Sequence, residues 1–407
     1  MLKARKIVLG VTGGIAAYKA VELLRRLVNL NAEINVIMTK SAQEFVTPLT
    51  LQTLSGNRVI TGLFDLPEDS KIGHIAIAQW ADIFVIAPAT ANIIGKISNG
   101  IADDFLSTTV MATRAPVLIA PAMNTNMYEN HIVQRNINTL KSFGCQFVEP
   151  ASGGLACGTE GLGKLAEVDD IIEEMKSILS KKDLLGERIL VTAGPTTEFI
   201  DPIRFITNRS TGKMGYAVAR VARRRGAEVT LISGPSALPV PKNIKFFSVK
   251  TALEMKAAVL DSLESSTVVI KAAAVGDYKA KDVCSQKIKR KKANLLILEL
   301  EETTDILSEI GKKKRDRIHV GFAAETEDLI NNAKSKLKNK NLDLIVANDV
   351  CMEGAGFESD TNVVKILDKE GSIEELPLMS KEEVAEKILD RVVKIKTKKS
   401  KGPGIKS

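Results

Sequence analysis

Aromatic residues are scarce in this chain, at 4% of 407 positions. None alternates with the basic residues, so a stacking platform for single-stranded nucleic acid is excluded. The four cysteines, Cys145, Cys157, Cys284 and Cys351, form no CxxC pair. That spacing provides neither a metal-ligand set nor a disulfide framework, and it fits a reducing compartment, the cytoplasm. Long apolar runs are missing too. Nothing approaches the length that spans a bilayer, and Met1-Leu2-Lys3-Ala4-Arg5-Lys6 leads into a strand-like run without the apolar stretch and cleavage site of a signal peptide.

What is present is the composition of a soluble globular protein, 44% hydrophobic and 26% charged. The length exceeds one ordinary core, so two domains are expected. The formal net charge is +8. Much of the excess sits in Lys287 to Lys292 and from Lys394 to Lys406. Such charge suits small phosphorylated substrates as well as nucleic acid. With no aromatic interleaving, small phosphorylated molecules are the expected partners, and residues 396–407 are expected to be a disordered basic tail.

Short apolar runs alternate with helical stretches, the pattern of an α/β fold. Ile7–Val11 is a strand candidate, followed by a glycine turn and a helix with Val21, Leu24, Leu27 and Val28 on one face. Further strands are predicted at 34–38, 83–87, 117–120 and 146–148. After the polar break Ser180-Lys181-Lys182-Asp183 the pattern restarts at Ile189. Its first helix carries Val218, Val221 and Ala222, then Arg223-Arg224-Arg225 and Gly226, with cations in the last turn and glycine beyond. Strands are predicted at 229–232, 268–271, 295–300, 320–323 and 344–347. The boundary is placed near 186, giving domains 1–186 and 187–395.

In open parallel sheets, ligands bind beyond the C-terminal strand ends. Thr12-Gly13-Gly14 joins a strand to a helix there. Glycine lets backbone N–H groups approach a phosphate, although a plain tight turn is the other reading. Asn124 follows the strand at Val117 and reads either as an amide in the same crevice or as a helix cap. His74 precedes a short helix, and His131 and His319 read as structural. Cys157 lies in Ala151-Ser152-Gly153-Gly154-Leu155-Ala156-Cys157-Gly158-Thr159-Glu160-Gly161-Leu162-Gly163. That segment is either a flap able to deliver a proton from its thiol or simply a flexible loop.

The joint pattern is specific. GxTGGIAAYK, GHIxxAxWAD, APATANxIxKxxxGxADDxLST, APAMNxxM and ASGxLACGxxGxG occur in that order. Residues 5–180 resemble the phosphopantothenoylcysteine decarboxylases, flavodoxin-like FMN proteins with a Rossmann-like fold. The resemblance implies that His74 is catalytic, Asn124 binds substrate and Cys157 donates a proton. It also implies that Gly13, Gly14, Thr39, Ser41, Thr90 and Ser107 surround FMN. Tyr128 stands where the family has Trp, Lys164-Leu165 where Arg-Met is usual, and Val168 replaces a common Pro.

The second half opens with Asp201-Pro202-Ile203-Arg204-Phe205-Ile206-Thr207-Asn208-Arg209-Ser210-Thr211-Gly212-Lys213. Its hydroxyls and glycine before a helix suit an anion cradle, but GxxxxGK[ST] is absent. Ala272 to Tyr278 offers small residues beside which a flat ring can lie, and Asp277 as a possible Mg2+ ligand. Lys287 belongs to a run that reads either as a solvated face or as a phosphate contact.

The order AGPTxExIDPxRxIxNxSxGKMG, AAAVxDY, KIK, GFAAET and LDLIxAND resembles the phosphopantothenate–cysteine ligases over residues 187–392. This implies a second Rossmann-like domain that binds CTP with Mg2+. Ala273, Asp277, Lys287, Thr303, Thr304, Asp305, Ile306, Phe322, Lys336 and Lys340 match nucleotide-site positions, and Asn208 the position that holds an activated acyl intermediate. Thr207, Thr211 and Gly276 stand where Ser, Ser and Ala are common. Both halves in this order are similar to a fused bifunctional family of coenzyme A biosynthesis. Its substrates are 4'-phosphopantothenate, cysteine and CTP, and the resemblance implies a homo-oligomer, a dodecamer.

Overall fold

The computed structural model describes residues 1–63, 73–154, 160–289, 296–325, 327–349, 356 and 358–400. The chain divides into two compact units, the first ending at Ser180 and the second starting at Lys181. The division falls at the polar break itself, slightly before the boundary expected near 186.

In the first unit, strands β1 (Lys6–Val11), β2 (Glu33–Met38), β3 (Ile83–Ala89), β4 (Val117–Pro121) and β5 (Gln146–Phe147) form one sheet. Its order is β2-β1-β3-β4-β5, all pairs parallel. Strands buried on both faces read as continuous apolar runs, which is why β1 and β3 were legible. Leu9 and Val11 pack with Leu23, Leu24 and Leu27 of helix Ala17–Asn29 on one face. Val8, Phe84 and Ile86 pack with Ile93, Ile94 and Ile97 of helix Ala91–Ser98 on the other. Because the chain leaves β1 toward one side and β3 toward the other, a crevice opens between their C-terminal ends. β6 (Ala151–Gly154) and β7 (Glu160–Lys164) form a separate antiparallel ribbon.

In the second unit, β8 (Arg188–Ala193) is followed by the small strands β9 (Thr197–Phe199) and β10 (Phe205–Thr207). Next come β11 (Glu228–Ser233), β12 (Lys245–Ser248), β13 (Val268–Lys271), β14 (Tyr278–Ala280) and β15 (Leu300–Glu302). The last four are β16 (Ile318–Glu325), β17 (Leu344–Asp349), β18 (Thr361–Asp368) and β19 (Ile373–Ser380). The main sheet runs β12-β11-β8-β13-β16-β17-β18-β19. It is parallel through β17 and antiparallel at β18 and β19. Its parallel part has the Rossmann order, with the switch point between β8 and β13. β9–β10 and β14–β15 are two-stranded ribbons outside that sheet.

Two expectations fail here. The strand predicted at 295–300 is not in the sheet: of its described residues only Leu300 is in a strand, at the start of β15. Leu296, Ile297 and Leu298 are exposed, so apolar character there marks no core. The tail predicted to be disordered from 396 is helical through Ser400, at the end of helix Lys381–Ser400. Ion pairs hold it: Lys396 with Glu187, and Lys398 Nζ with Glu370 Oε2 at 2.7 Å. The rest of that tail lies outside the described residues. Among the described residues, no helix is long and apolar enough to cross a membrane.

Candidate active sites

A cavity of about 790 Å³ occupies the crevice of the first unit. Thr12, Gly13 and Gly14 reach it from the end of β1, Thr39 and Ser41 from the end of β2, and Thr90 from the end of β3. Thr12 stitches the switch point: its hydroxyl donates to Pro88 O at 2.7 Å and accepts from Thr90 N at 3.1 Å. Gly13 is dictated by space, since a Cβ there would lie 2.3 Å from Ser41 Cβ. At Gly14 the nearest atom would be Thr90 Cγ2 at 3.6 Å, an ordinary contact.

Three features suit the phosphorylated flavin implied by the resemblance. They are a glycine turn at a helix N-terminus, hydroxyls converging from three strand ends, and the Thr39 hydroxyl, buried without a partner among the described residues. The cavity size is that of a small-molecule site.

Asn124 lines this cavity and also caps helix Thr125–Glu129, its Oδ1 accepting from Asn126 N at 2.9 Å. Its place at the cavity and its cap are thus compatible with each other. Ser107 does not line the cavity. It is fully buried, and its hydroxyl lies 2.9 Å from Asp104 Oδ1 in a reciprocal cap of helix Phe105–Ala112. It is Asp104 that reaches the cavity, with Lys96 Nζ 3.2 Å from its Oδ2. His74 sits in helix Gly73–Trp80, edge-on to Phe105 at 6.4 Å, and is not among the lining residues.

Cys157 lies outside the described residues. The ribbon that flanks it is anchored at the site, since Met123 N donates to Gly163 O at 2.9 Å. Gly163 has φ of 144°, and a Cβ there would lie 2.3 Å from Met123 O. Lys164, one of the departures from the family pattern, shares Glu167 with Lys19, at 3.6 and 3.5 Å. Tyr128, another, donates to Glu149 Oε2 at 3.3 Å.

In the second unit, residues from separate motifs meet beyond the C-terminal ends of β8, β13 and β16. Asn208 Nδ2 donates to Ala274 O at 3.1 Å. Ala273 N donates to Thr192 Oγ1 at 3.3 Å. The Thr303 hydroxyl donates to Gly276 O at 2.6 Å, and Thr303 N donates to Asp277 O at 2.8 Å. Asp305 caps helix Ile306–Lys312 and pairs with Lys340, Nζ to Oδ2 2.9 Å. Burial opposes its ionisation, but Lys340 and the Ser308 hydroxyl outweigh that and pull the carboxyl down to about 2. Ile306 is buried, and Phe322 is half-buried on β16. Lys336 lies in the last turn of helix Leu329–Asn339, just before Lys340. Asp277 and Lys287 are exposed. At Gly276 a Cβ would meet only ordinary contacts at 3.5 Å, so the common Ala would fit without strain.

Lys271 escaped the sequence reading because it closes an apolar strand. It shares a face of β13 with Val269, whose neighbours in the core include Ile306 and Leu307. Burial first, then Lys340 and Lys336, push its ammonium down to about 8, against the pull of Asp305 and Asp277. Its electrostatic neighbours are thus four of the expected nucleotide-site residues. Among the described residues no cluster of three or more His, Cys, Asp or Glu forms a metal site. Asp277 is a single carboxylate, which suits an Mg2+ that arrives bound to phosphates.

Comparison with known proteins agrees with this division. The Flavoprotein family matches residues 1–180, and the DNA/pantothenate metabolism flavoprotein C-terminal domain matches residues 184–395. The Coenzyme A biosynthesis bifunctional protein CoaBC of Bacillus subtilis is 50% identical over 396 residues, 96% of this chain and 97% of its own. The protein of the same name from Vibrio cholerae is 45% identical over 95% of this chain and 98% of its own. A crystal structure of the C-terminal domain of such a protein is 45% identical, covers 53% of this chain and 100% of its own, and has a TM-score of 0.46. The chain belongs to the family of bifunctional coenzyme A biosynthesis proteins, a flavoprotein half joined to a pantothenate-metabolism half in one polypeptide.

Proposed function

We propose that the second unit joins cysteine to 4'-phosphopantothenate at the expense of CTP, and that the first unit decarboxylates the product to 4'-phosphopantetheine with FMN. The observation that carries this reading is the convergence of Asn208, the Thr303–Asp305 segment and Lys340, from three separate stretches of chain, at one end of the sheet.

In the ligase step the substrate carboxylate attacks the α-phosphate of CTP and pyrophosphate leaves. Lys287, Lys336 and Lys340 would neutralise the phosphates, and Asp277 would hold Mg2+. Thr303 to Ile306 and Phe322 would border the nucleotide. Asn208 would hold the acyl-cytidylate until the cysteine amine attacks its carbonyl and CMP leaves.

In the first unit FMN supplies a hydride acceptor that can later return the hydride. Gly13, Gly14, Thr39, Ser41 and Thr90 would hold it, and Ser107 would act through the Asp104 cap. Asn124 would bind the carboxylate that departs as CO2, and Cys157 would protonate the carbon end of the resulting enethiolate. Among the described residues His74 does not line the cavity of its own chain, and a homo-oligomer would let it serve the site of a second copy.

The test is mass analysis of the flavin released on denaturation, together with pyrophosphate release. FMN and CTP-dependent pyrophosphate are expected. FAD, or release driven by ATP and not CTP, would overturn the assignment.

A further inference from the structure

The Lys287 segment belongs to no strand or helix, yet it is held at Ile288. Asp201 lies in the turn between β9 and β10 and is 0% exposed. Its Oδ1 accepts from Ile203 N at 2.8 Å and Arg204 N at 2.7 Å, which closes the turn. Its Oδ2 accepts from Arg204 Nη1 at 2.9 Å and from Ile288 N at 3.1 Å. Arg204 Nη1 also donates to Ile288 O at 3.1 Å. Both backbone polar groups of Ile288, the residue between Lys287 and Lys289, are therefore bound to one acid–guanidinium pair 84 and more positions earlier in the chain. Among the described residues no other hydrogen bond holds 285–289. Upstream, Cys284 N donates to Ile200 O at 3.0 Å, so the same turn grips the segment twice.

A buried carboxylate is costly unless fully satisfied. Here it is satisfied by three N–H groups and a guanidinium. Burial alone would raise its pKa, but the hydrogen bonds from Ile203, Ile288 and Arg204 outweigh this and keep it below the usual carboxylate range.

We propose that Asp201 is a positioning residue for nucleotide activation: with Arg204 it clamps Ile288, and so fixes Lys287 and Lys289 at the edge where the triphosphate binds. This rests on the reading that Lys287 serves the nucleotide. Asp201 touches no substrate in this account. Its effect passes through the two flanking ammonium groups. Asn at 201 would turn an N–H group toward Ile288 N, so that donor would face donor and the clamp would open.

The test measures CTP dependence and acyl-cytidylate formation without cysteine, and then amide formation from the accumulated intermediate. Asp201→Asn is expected to raise the KM for CTP and slow activation, on the order of a hundredfold for a displaced catalytic group, while amide formation is unchanged. Ile288→Pro removes the donor while leaving Asp201, Arg204 and their turn in place, and should reproduce the defect, which covers the case in which Asp201→Asn does not fold. In a background with both Lys287→Gln and Lys289→Gln, Asp201→Asn should cost little more. If Lys287→Gln is impaired while both clamp variants activate normally, or if their losses are additive with those of the double lysine variant or fall equally on both steps, the clamp is refuted. If Lys287→Gln itself turns over normally, the reading of Lys287 fails, and the clamp proposal falls with it.

Discussion

Lys340 Nζ lies 2.9 Å from Asp305 Oδ2, and this ion pair fastens the end of one helix to the start of another. Asp305 is also the N-cap of helix Ile306–Lys312. Lys340→Ala is expected to weaken CTP binding roughly tenfold, about 1.4 kcal/mol. Asp305→Ala should in addition lose a cap worth about 1 kcal/mol. Calorimetric titration with CTP and thermal melts separate the two. Equal melting temperatures for both variants would contradict the capping role, and unchanged CTP affinity in Lys340→Ala would remove that residue from the site.

On the proposed reading, Lys271 is expected to make CTP binding pH-dependent in a defined direction. Its ammonium, pushed down to about 8, loses its charge as pH rises through that value, and its attraction to the triphosphate goes with it. CTP affinity should therefore weaken above pH 8. Lys271→Met should bind roughly fivefold to tenfold more weakly at pH 7, a half-buried charge contact being worth about 1 kcal/mol, and should show a flatter profile. Parallel profiles for the two proteins would exclude Lys271 from the nucleotide field.

The glycine turn of the first unit gives a contrast between neighbours. Gly13→Ala drives a Cβ to within 2.7 Å of Ser41 C and 2.8 Å of Ser41 O, backbone atoms that cannot rotate away. Flavin occupancy and melting temperature should both fall. Gly14→Ala meets only Thr90 Cγ2 at 3.6 Å and should melt like wild type. Flavin titration with melts decides: a Gly13→Ala protein that melts and binds flavin normally would show that the turn relaxes freely.

His319 is buried with neither ring nitrogen hydrogen-bonded among the described residues. Burial first, then Lys314, hold its pKa down to about 4, with Arg317 and Lys399 adding to the effect and Asp343 opposing it. An unfolded histidine takes up its proton near 6.5, so between 6.5 and 4 the unfolded state binds more protons. Stability therefore falls as pH drops through that window, by on the order of 3 kcal/mol. His319→Leu should melt with a smaller loss between pH 7 and 4.5. An equal loss would mean that other groups govern the acid limb.

The sequence made the parallel strands legible because burial on both faces leaves uninterrupted apolar runs, as at Ile7–Val11 and Val268–Ile270. The hairpin of β18 and β19 was not read, since its alternating burial dilutes the signal; Asn362, Val364 and Ile366 are buried with half-exposed Val363 and Lys365 between them. Ile297, 77% exposed, shows the converse error, an apolar run with no core behind it. At the sites, short-range chemistry such as the glycine turn was readable. Ser107 uses its hydroxyl in the Asp104 cap, and it is Asp104 that borders the cavity, a pairing that sequence spacing alone did not mark. Asp201 could not be assigned a role from sequence, since its partner Ile288 lies 87 positions away and offers only backbone.

The central claim is that one chain performs both reactions in series. Supplying the purified holoprotein with 4'-phosphopantothenate, cysteine, CTP and Mg2+, and following product mass over a single turnover, tests it directly. The account predicts pyrophosphate and CMP, then 4'-phosphopantothenoylcysteine, then 4'-phosphopantetheine with one CO2, all without a second protein. Accumulation of the carboxylated conjugate as the final product, or CO2 release only after another enzyme is added, would contradict it.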